Sequence, residues 1–137
     1  MKRKQILLIT AVILVISVAS FFGASHKFNI ESSPILKKHE LAIKKIGGEW
    51  KVVHAQDPAK KKVKAKKKDK ITWKAEGTDV YFQFMDEQLF GRYKEYGKNV
   101  TLTVTDSAKL GSHFYAVFCL ADCTFATGDS PPKIIIE

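Results

Sequence analysis

The sequence predicts an all-β domain, a small Greek-key β-sandwich, attached to an N-terminal transmembrane helix. From Trp50 onward apolar and polar residues alternate with a period of two, which is typical of half-buried strands. Glycine and proline separate these short runs, as expected of an antiparallel sandwich or barrel. Near the N-terminus, residues 6–24 form a stretch without charge, and about 20 such residues cross a bilayer as a helix.

The start of the chain indicates export. Lys2, Arg3 and Lys4 precede the apolar stretch, so they stay in the cytoplasm while the rest is translocated. A long signal peptide would look similar. Because Val18 and Ser20 make a poor cleavage site, we favour an uncleaved anchor. We therefore expect a single-pass membrane protein with its C-terminal domain in the periplasm or outside the cell.

The chain divides into three parts: 1–24 as membrane anchor or signal peptide, 25–47 as a linker with a short helix, and 48–137 as the β domain. Pro34 after two serines favours a helix start, and Gly47-Gly48 favours its end. The pattern predicts this helix over 35–46, as a spacer packed on the domain.

The strands of the β domain follow in order. The alternation predicts seven of them, at 50–54, 63–66, 71–74, 80–84, 100–104, 114–119 and 134–136. The run 114–119 is apolar on both faces, which is typical of a central strand. Residues 85–98 read as a longer connection, and 124–132 as a loop.

Basic charge is concentrated in one segment. The formal net charge is +9, from 23 basic and 14 acidic residues. Eight lysines, which we call the lysine run, supply most of the excess: Lys60, Lys61, Lys62, Lys64, Lys66, Lys67, Lys68 and Lys70. They can be the solvated edge of a sheet, where lysine prevents aggregation. They can also bind an acidic protein or anionic lipid, at ~1 kcal/mol per lysine. We expect no nucleic-acid partner, because the compartment is wrong and no aromatic or arginine side chain interrupts the run.

Cys119 and Cys123 are the only cysteines. An exported pair can form a disulfide across its short loop. It can also place two thiolates on one metal ion, or remain as free thiols. His113 lies about 20 Å along the strand from Cys119, too far to share a metal with it. Each of the other histidines, at positions 26, 39 and 54, is expected to be solvated or structural.

The segments around these cysteines resemble cupredoxins over about residues 50–137. Residues 66–73 resemble the turn and strand that end near an aromatic residue in that family, and 77–84 the segment that carries the first histidine ligand. Residues 113–119 resemble the strand that delivers the copper-binding cysteine, and 131–137 the closing strand. The Cys119-x-x-x-Cys123 spacing is closer still to the dinuclear-copper (CuA) domain of cytochrome oxidase subunit II.

The resemblance implies copper ligands at positions that hold other residues. The first histidine position falls at about Phe82, the second at Thr127, and the methionine position at Ser130. Only the two cysteines match. Met85 and Asp122 are the candidates for a further ligand, since the loop after Phe84 borders the cysteine loop in that family, and two thiolates with a thioether suit Cu(I). We therefore expect no cofactor, with copper as the alternative.

No sequence motif of catalysis occurs: the chain has no glycine-rich phosphate loop, Gly-x-Ser-x-Gly or His-Glu-x-x-His. The sequence thus predicts a non-enzymatic, membrane-anchored, cupredoxin-like module outside the cytoplasm, which acts through protein or surface contacts. The alternative is a copper-binding or thiol-redox electron-transfer protein that uses Cys119 and Cys123.

Overall fold

The computed structural model describes residues 35–60, 62–128 and 131–137 of the chain. These form an all-β sandwich, as predicted. The anchor or signal peptide at 1–24 and residues 25–34 of the linker lie outside the described residues. Among the residues that are described, no helix has the length and apolarity needed to cross a membrane.

The described chain contains ten strands and one short helix. In chain order they are β1 (Lys38–Ile46), β2 (Glu49–His54), β3 (Val63–Ala65), β4 (Lys70–Ala75), β5 (Val80–Phe84), α1 (Glu87–Phe90), β6 (Lys94–Gly97), β7 (Asn99–Thr103), β8 (Gly111–Cys119), β9 (Thr124–Phe125) and β10 (Lys133–Ile136).

Two sheets make the sandwich. Sheet A has the strand order β2-β1-β4-β7, and sheet B has the order β3-β10-β8-β5-β6, with β9 beside the end of β8. Most neighbours are antiparallel, but β1 runs parallel to β4 and β3 runs parallel to β10. Consequently the starts of β1 and β4 and the end of β3 lie at one end of the sandwich. The β8–β9 turn lies at the other end.

The core between the sheets is built around Trp73. Its ring centroid lies 5.2 Å from that of Phe82 and 5.8 Å from that of Tyr115. Its indole Nε1 donates a hydrogen bond of 3.2 Å to the Tyr115 hydroxyl. Burial raises the pKa of Tyr115, and the hydrogen bond from Trp73 lowers it by less, so the pKa is about 12. This dry aromatic centre holds the two sheets together.

The predicted helix over 35–46 is wrong. Residues 38–46 form β1, with strand neighbours on both sides in sheet A. Leu41 and Ile43, two residues apart, are both buried in the core, as a strand requires. Gly47 and Gly48 have φ angles of 61° and 84° and connect Ile46 to its partner Glu49. This two-residue connection, with both φ angles positive, is typical of a type I′ hairpin turn rather than of a helix end.

The seven predicted strands are all present, with bounds shifted by at most three residues. The sequence analysis missed two elements within 85–98. Asp86 caps the short helix α1, its carboxylate accepting from Gln88 N at 2.9 Å, and β6 follows it. It also missed β9, which occupies the start of the predicted loop 124–132.

Candidate functional site

The lysine run lies around the start of the described domain. Lys38 pairs with Lys70 in the sheet, and Lys70 N donates to Lys37 O at 2.9 Å. The turn from β3 to β4 thus lies beside the first residues of β1. We call this end of the sandwich the basic end, and its lysines are Lys37, Lys38, Lys66, Lys67, Lys68 and Lys70. Lys60, Lys62 and Lys64 continue the charge along the β3 edge, and Lys61 lies outside the described residues.

Carboxylates neutralise only part of this charge. Three of the lysines have acidic partners: Lys38 with Glu40 at 2.9 Å, Lys68 with Asp106 at 3.8 Å, and Lys64 with Glu137. Within the described part of the chain, the exposed side chains of Lys37, Lys66, Lys67 and Lys70 form no ion pair. Four cations therefore face water at one end of the domain.

A buried carboxylate organises the basic end. Asp69 is 3% exposed and accepts hydrogen bonds from Lys37 N and Lys66 N, each at 2.9 Å, and from His39 Nε2 at 3.0 Å. Burial alone would raise the pKa of Asp69, but hydrogen bonds from Lys66, His39 and Lys37 outweigh it and hold that pKa below its usual value. Asp69 therefore ties the start of β1 to the lysine-rich turn.

A concavity of about 490 Å³ opens beside this carboxylate. Lys37, Lys60 and Lys66 line it together with His39. Five lysines line the concavity against the two carboxylates of Asp69 and Glu137, so its lining carries a net positive charge.

The cysteine turn has one buried and one exposed thiol. Cys119 ends β8 and is 0% exposed, whereas Cys123 is exposed at a φ angle of 50°. The Cys123 thiol donates to Leu120 O at 3.6 Å. Both cysteines are free, so the predicted disulfide is not formed in this structure. The two sulfur atoms are not bonded because the Cys119 side chain points into the core while that of Cys123 lies on the surface.

The environment of Cys119 makes its thiol unreactive. Burial, with a contribution from the nearby Asp122 carboxylate, raises the pKa of Cys119 to about 11. At neutral pH this side chain is therefore a protonated thiol, not the thiolate that attacks disulfides.

Asp122 fastens the cysteine turn to sheet A. Its carboxylate accepts a hydrogen bond of 2.8 Å from Trp50 Nε1 and pairs with Lys45, whose ammonium also lies 5.3 Å from the Trp50 ring centroid. Lys45, and then Trp50, lower the pKa of Asp122. The Asp122 carboxylate is thus bound by Trp50 and Lys45 in a surface cluster, and within the described chain the structure gives no sign that it acts as a metal ligand.

The side chains near the cysteines do not fit a copper site. Phe82 is packed against Trp73, and the Thr127 hydroxyl donates to Trp50 O at 3.3 Å; neither supplies an imidazole. Met85 follows Phe84, which pairs with Tyr115, whereas Cys119 pairs with Val80 at the opposite end of β5. Across the described residues, no three His, Cys, Asp or Glu side chains group together as metal ligands would.

The described histidines have structural partners. His39 Nε2 contacts Asp69, His54 Nε2 donates to the Lys62 carbonyl at 3.0 Å, and His113 contacts Asp86 and the Lys109 carbonyl at 3.0 and 2.7 Å. A carbonyl oxygen only accepts, so His54 and His113 carry a proton on Nε2. The partners of His39 and His54 agree with the expectation that these two are solvated or structural, and His26 lies outside the described residues.

The sequence analysis missed a set of outward-facing aromatic side chains on sheet B. They lie on neighbouring strands in one cross-strand row: Tyr96, Tyr81, Phe118 and Phe125. We call them the aromatic row. The sequence did carry a signal for this row. In β5 and β8, aromatic residues occur at both odd and even positions and therefore on both faces of the sheet. A strand with one solvated face has polar residues at every second position instead.

Comparison with known proteins returned only distant matches. No protein-family model matches the chain, and no curated protein matches it. Among solved structures, it is similar to the Cu(I) form of a point mutant of amicyanin, with 15% identity, 78% of this chain and 87% of that one covered, and a TM-score of 0.38. A second amicyanin mutant, in its reduced state, has the same values.

A chain of a heme-copper terminal oxidase dimer, solved by cryo-EM, is also similar. The identity is 15%, the coverage is 99% of this chain and 100% of that one, and the TM-score is 0.43. At these scores we draw no functional conclusion from either likeness.

Proposed function

We propose that this chain is a membrane-anchored, cupredoxin-like module outside the cytoplasm, which acts by surface contact and lays its basic end on anionic lipid headgroups. The observation that carries the proposal is the position of the lysine run around the first residues of β1. In the sequence, the apolar stretch ends ten residues before Ile35. Ten residues reach at most about 36 Å, so a membrane anchor would keep the basic end near the bilayer surface.

The charge is large enough to matter. Each lysine close to an anionic leaflet contributes ~1 kcal/mol, so the four lysines without ion pairs contribute about 4 kcal/mol. That corresponds to roughly a thousandfold change in the ratio of docked to undocked domains. The attraction falls off within a Debye length, about 8 Å at physiological salt. Contact should therefore be strongly salt-dependent.

The module is proposed to be non-catalytic and to work without the copper site of its structural relatives. Supporting this, the Cys119 side chain is buried in the core while that of Cys123 is exposed, and the positions of the missing ligands hold Phe82 and Thr127. The alternative function, copper binding or thiol redox by Cys119 and Cys123, requires the turn to rearrange so that both sulfurs face one site.

The test of lipid contact uses the full chain reconstituted in bilayers of phosphatidylcholine, with or without phosphatidylglycerol. The measurement is the rate at which a water-soluble reagent acylates individual lysines, read by mass spectrometry. Lys66, Lys67 and Lys70 should react more slowly in the anionic bilayer, and 0.5 M salt should remove the difference. Lys98, which is exposed at the opposite end of the sandwich, serves as the internal control.

Equal acylation rates in the two bilayers would refute the lipid proposal, and the lysine run would then serve only the solubility of the domain. A uniform slowing that includes Lys98 would indicate a general effect of the surface on the reagent, and would equally count against specific contact. For location, a membrane-impermeant maleimide added to intact cells should label Cys123, the exposed thiol. Labelling only after the cells are broken would contradict an extracytoplasmic domain.

A further inference from the structure

The two outer faces of the sandwich differ in chemistry. Sheet A presents exposed polar side chains such as Lys74, Thr101 and Thr103. Sheet B presents exposed aromatic side chains instead: Tyr81 and Tyr96 are each 51% exposed, and Phe125 is 63% exposed. A sheet with one solvated face normally resembles sheet A.

The aromatic row is continuous across four strands. The Tyr81 and Tyr96 rings have centroids 4.6 Å apart, and those of Phe118 and Phe125 are 5.1 Å apart. Tyr81 pairs directly with Phe118, which joins the two ring pairs. With strands about 4.8 Å apart, the row extends over roughly 14 Å. Contiguous apolar surface of this kind is typical of interaction sites.

A hollow beside the row has the size of an anchoring side chain. Its volume is about 280 Å³, and Tyr81, Gln83, Lys94, Ala116 and Phe118 line most of it. The small side chain of Ala116 leaves this space between larger neighbours along β8. An apolar leucine or phenylalanine side chain would fit, as anchors do at the centre of an interface.

The charge of this face identifies the partner. Outward-facing strand positions of sheet B hold three lysines and, among the described residues, no carboxylate; the lysines are Lys64, Lys94 and Lys133. Lys64 pairs with Glu137, and at one end of the row the Asp79 carboxylate accepts from the Tyr96 hydroxyl at 3.4 Å. Lys94 stands at the hollow and forms no ion pair within the described chain. An apolar anchor next to an acidic residue would therefore fill the hollow and neutralise Lys94. A second copy of this face would offer Lys94 no carboxylate from an outward-facing strand position, so a separate acidic partner complements it better.

The edge strand β6 is partly blocked against strand addition. The bond from Phe84 N to Tyr93 O fixes the pairing register, so the Tyr96 backbone N–H points away from β5. The Glu95 carboxylate already accepts from that N–H at 3.1 Å and also pairs with Arg92. Partners are thus directed to the face of sheet B rather than to its edge.

We propose that the aromatic row and its hollow form a docking site for a protein segment in which apolar side chains alternate with acidic ones. The row lies near the end of β8 at Cys119, whereas the basic end lies beside Gly111. Eight residues of strand separate these two positions, about 26 Å. The site would therefore stay free for a protein partner even while the basic end contacts another surface.

The test titrates the full chain, in a mild non-ionic detergent, with fluorescent peptides of alternating glutamate and leucine. The expected result is saturable binding that Phe118→Ser weakens by ~tenfold, the loss typical of a hot-spot residue. Phe114→Ser is the matched control, since Phe114 is an outward-facing phenylalanine of the same strand, 41% exposed, that lies outside the row. Melting curves establish that both variants remain folded.

Charge specificity is the second part of the test. Peptides of alternating lysine and leucine should bind poorly to the natural chain, and Lys94→Glu should reverse the preference. Equal binding of the two peptides, or binding that Phe118→Ser leaves unchanged, would overturn the proposal. Sedimentation could also show a concentration-dependent dimer that Phe118→Ser abolishes. That result would overturn the proposal too, because a second copy of the chain would then bind the aromatic row.

Discussion

Replacing Asp69 by alanine should destabilise the domain more than any other change to a charged residue at the basic end. The carboxylate is buried and accepts from Lys37 N, Lys66 N and His39 Nε2. Its removal leaves three donors without their acceptor, and each unsatisfied buried donor costs about 1–3 kcal/mol. Because water can reach part of this end, we expect a loss near the lower limit, about 3 kcal/mol in the free energy of unfolding.

Thermal unfolding of the full chain measures this loss. For a domain of this size 1 kcal/mol shifts Tm by roughly 4–8 °C, so Asp69→Ala should lower Tm by about 12–24 °C. Asp106→Ala is the matched control: its carboxylate is 73% exposed and lies 3.8 Å from the Lys68 ammonium. We expect that control to change stability by under about 0.5 kcal/mol.

The pH dependence supplies a second readout of the same bonds. The pKa of Asp69 is lowered in the folded state. Its stabilising contribution is therefore complete above the unfolded pKa of about 3.9 and is lost as the pH falls through the folded pKa. The Tm difference between the natural chain and Asp69→Ala should accordingly narrow from pH 5 to pH 2. If the two Asp→Ala variants melt alike at pH 7, the reasoning about the buried carboxylate is refuted.

Three further predictions concern the core and the cysteine turn. In the folded chain, a thiol reagent should modify Cys123 rapidly and Cys119 only on denaturation; two fast thiols, or none, would contradict the observed burial. Cys119→Ser should cost about 1–3 kcal/mol in urea unfolding because it buries a hydroxyl, whereas Cys123→Ser should cost under about 0.5 kcal/mol; equal losses would indicate a bridge. Tyr115→Phe should cost about 1–3 kcal/mol by leaving the buried Trp73 N–H unpaired, and ultraviolet titration should show Tyr115 ionising only near pH 12, its raised pKa, or on unfolding.

The strands could be predicted because, in most of the domain, the apolar residues at every second position are also the buried ones. Val80, Phe82 and Phe84 are all buried, and the residues between them are exposed. The same rule failed at β1, where Leu41, Ala42 and Ile43 are consecutive buried residues. A central strand covered on both sides looks like a short helix in its composition, and the two glycines after it were read as a helix end.

The site was predictable in charge but not in geometry. The lysine run is visible as composition, whereas its position around Lys37 depends on the pairing of β1 with β4, a contact between distant parts of the chain. Likewise, the resemblance to cupredoxins implied that Met85 lies near Cys119, but the pairing of β5 with β8 separates the two residues by the length of a strand. The role of Asp69 depends on three hydrogen bonds that no local pattern encodes.

The central place of β1 in sheet A has a mechanical consequence. A pull on the N-terminal segment would act along the axis of β1, which is paired over six residues with β2 and over six with β4. Such a force loads both ladders in shear, so their bonds must yield together instead of unzipping singly. The domain is thereby suited to remain folded under tension applied to the start of β1.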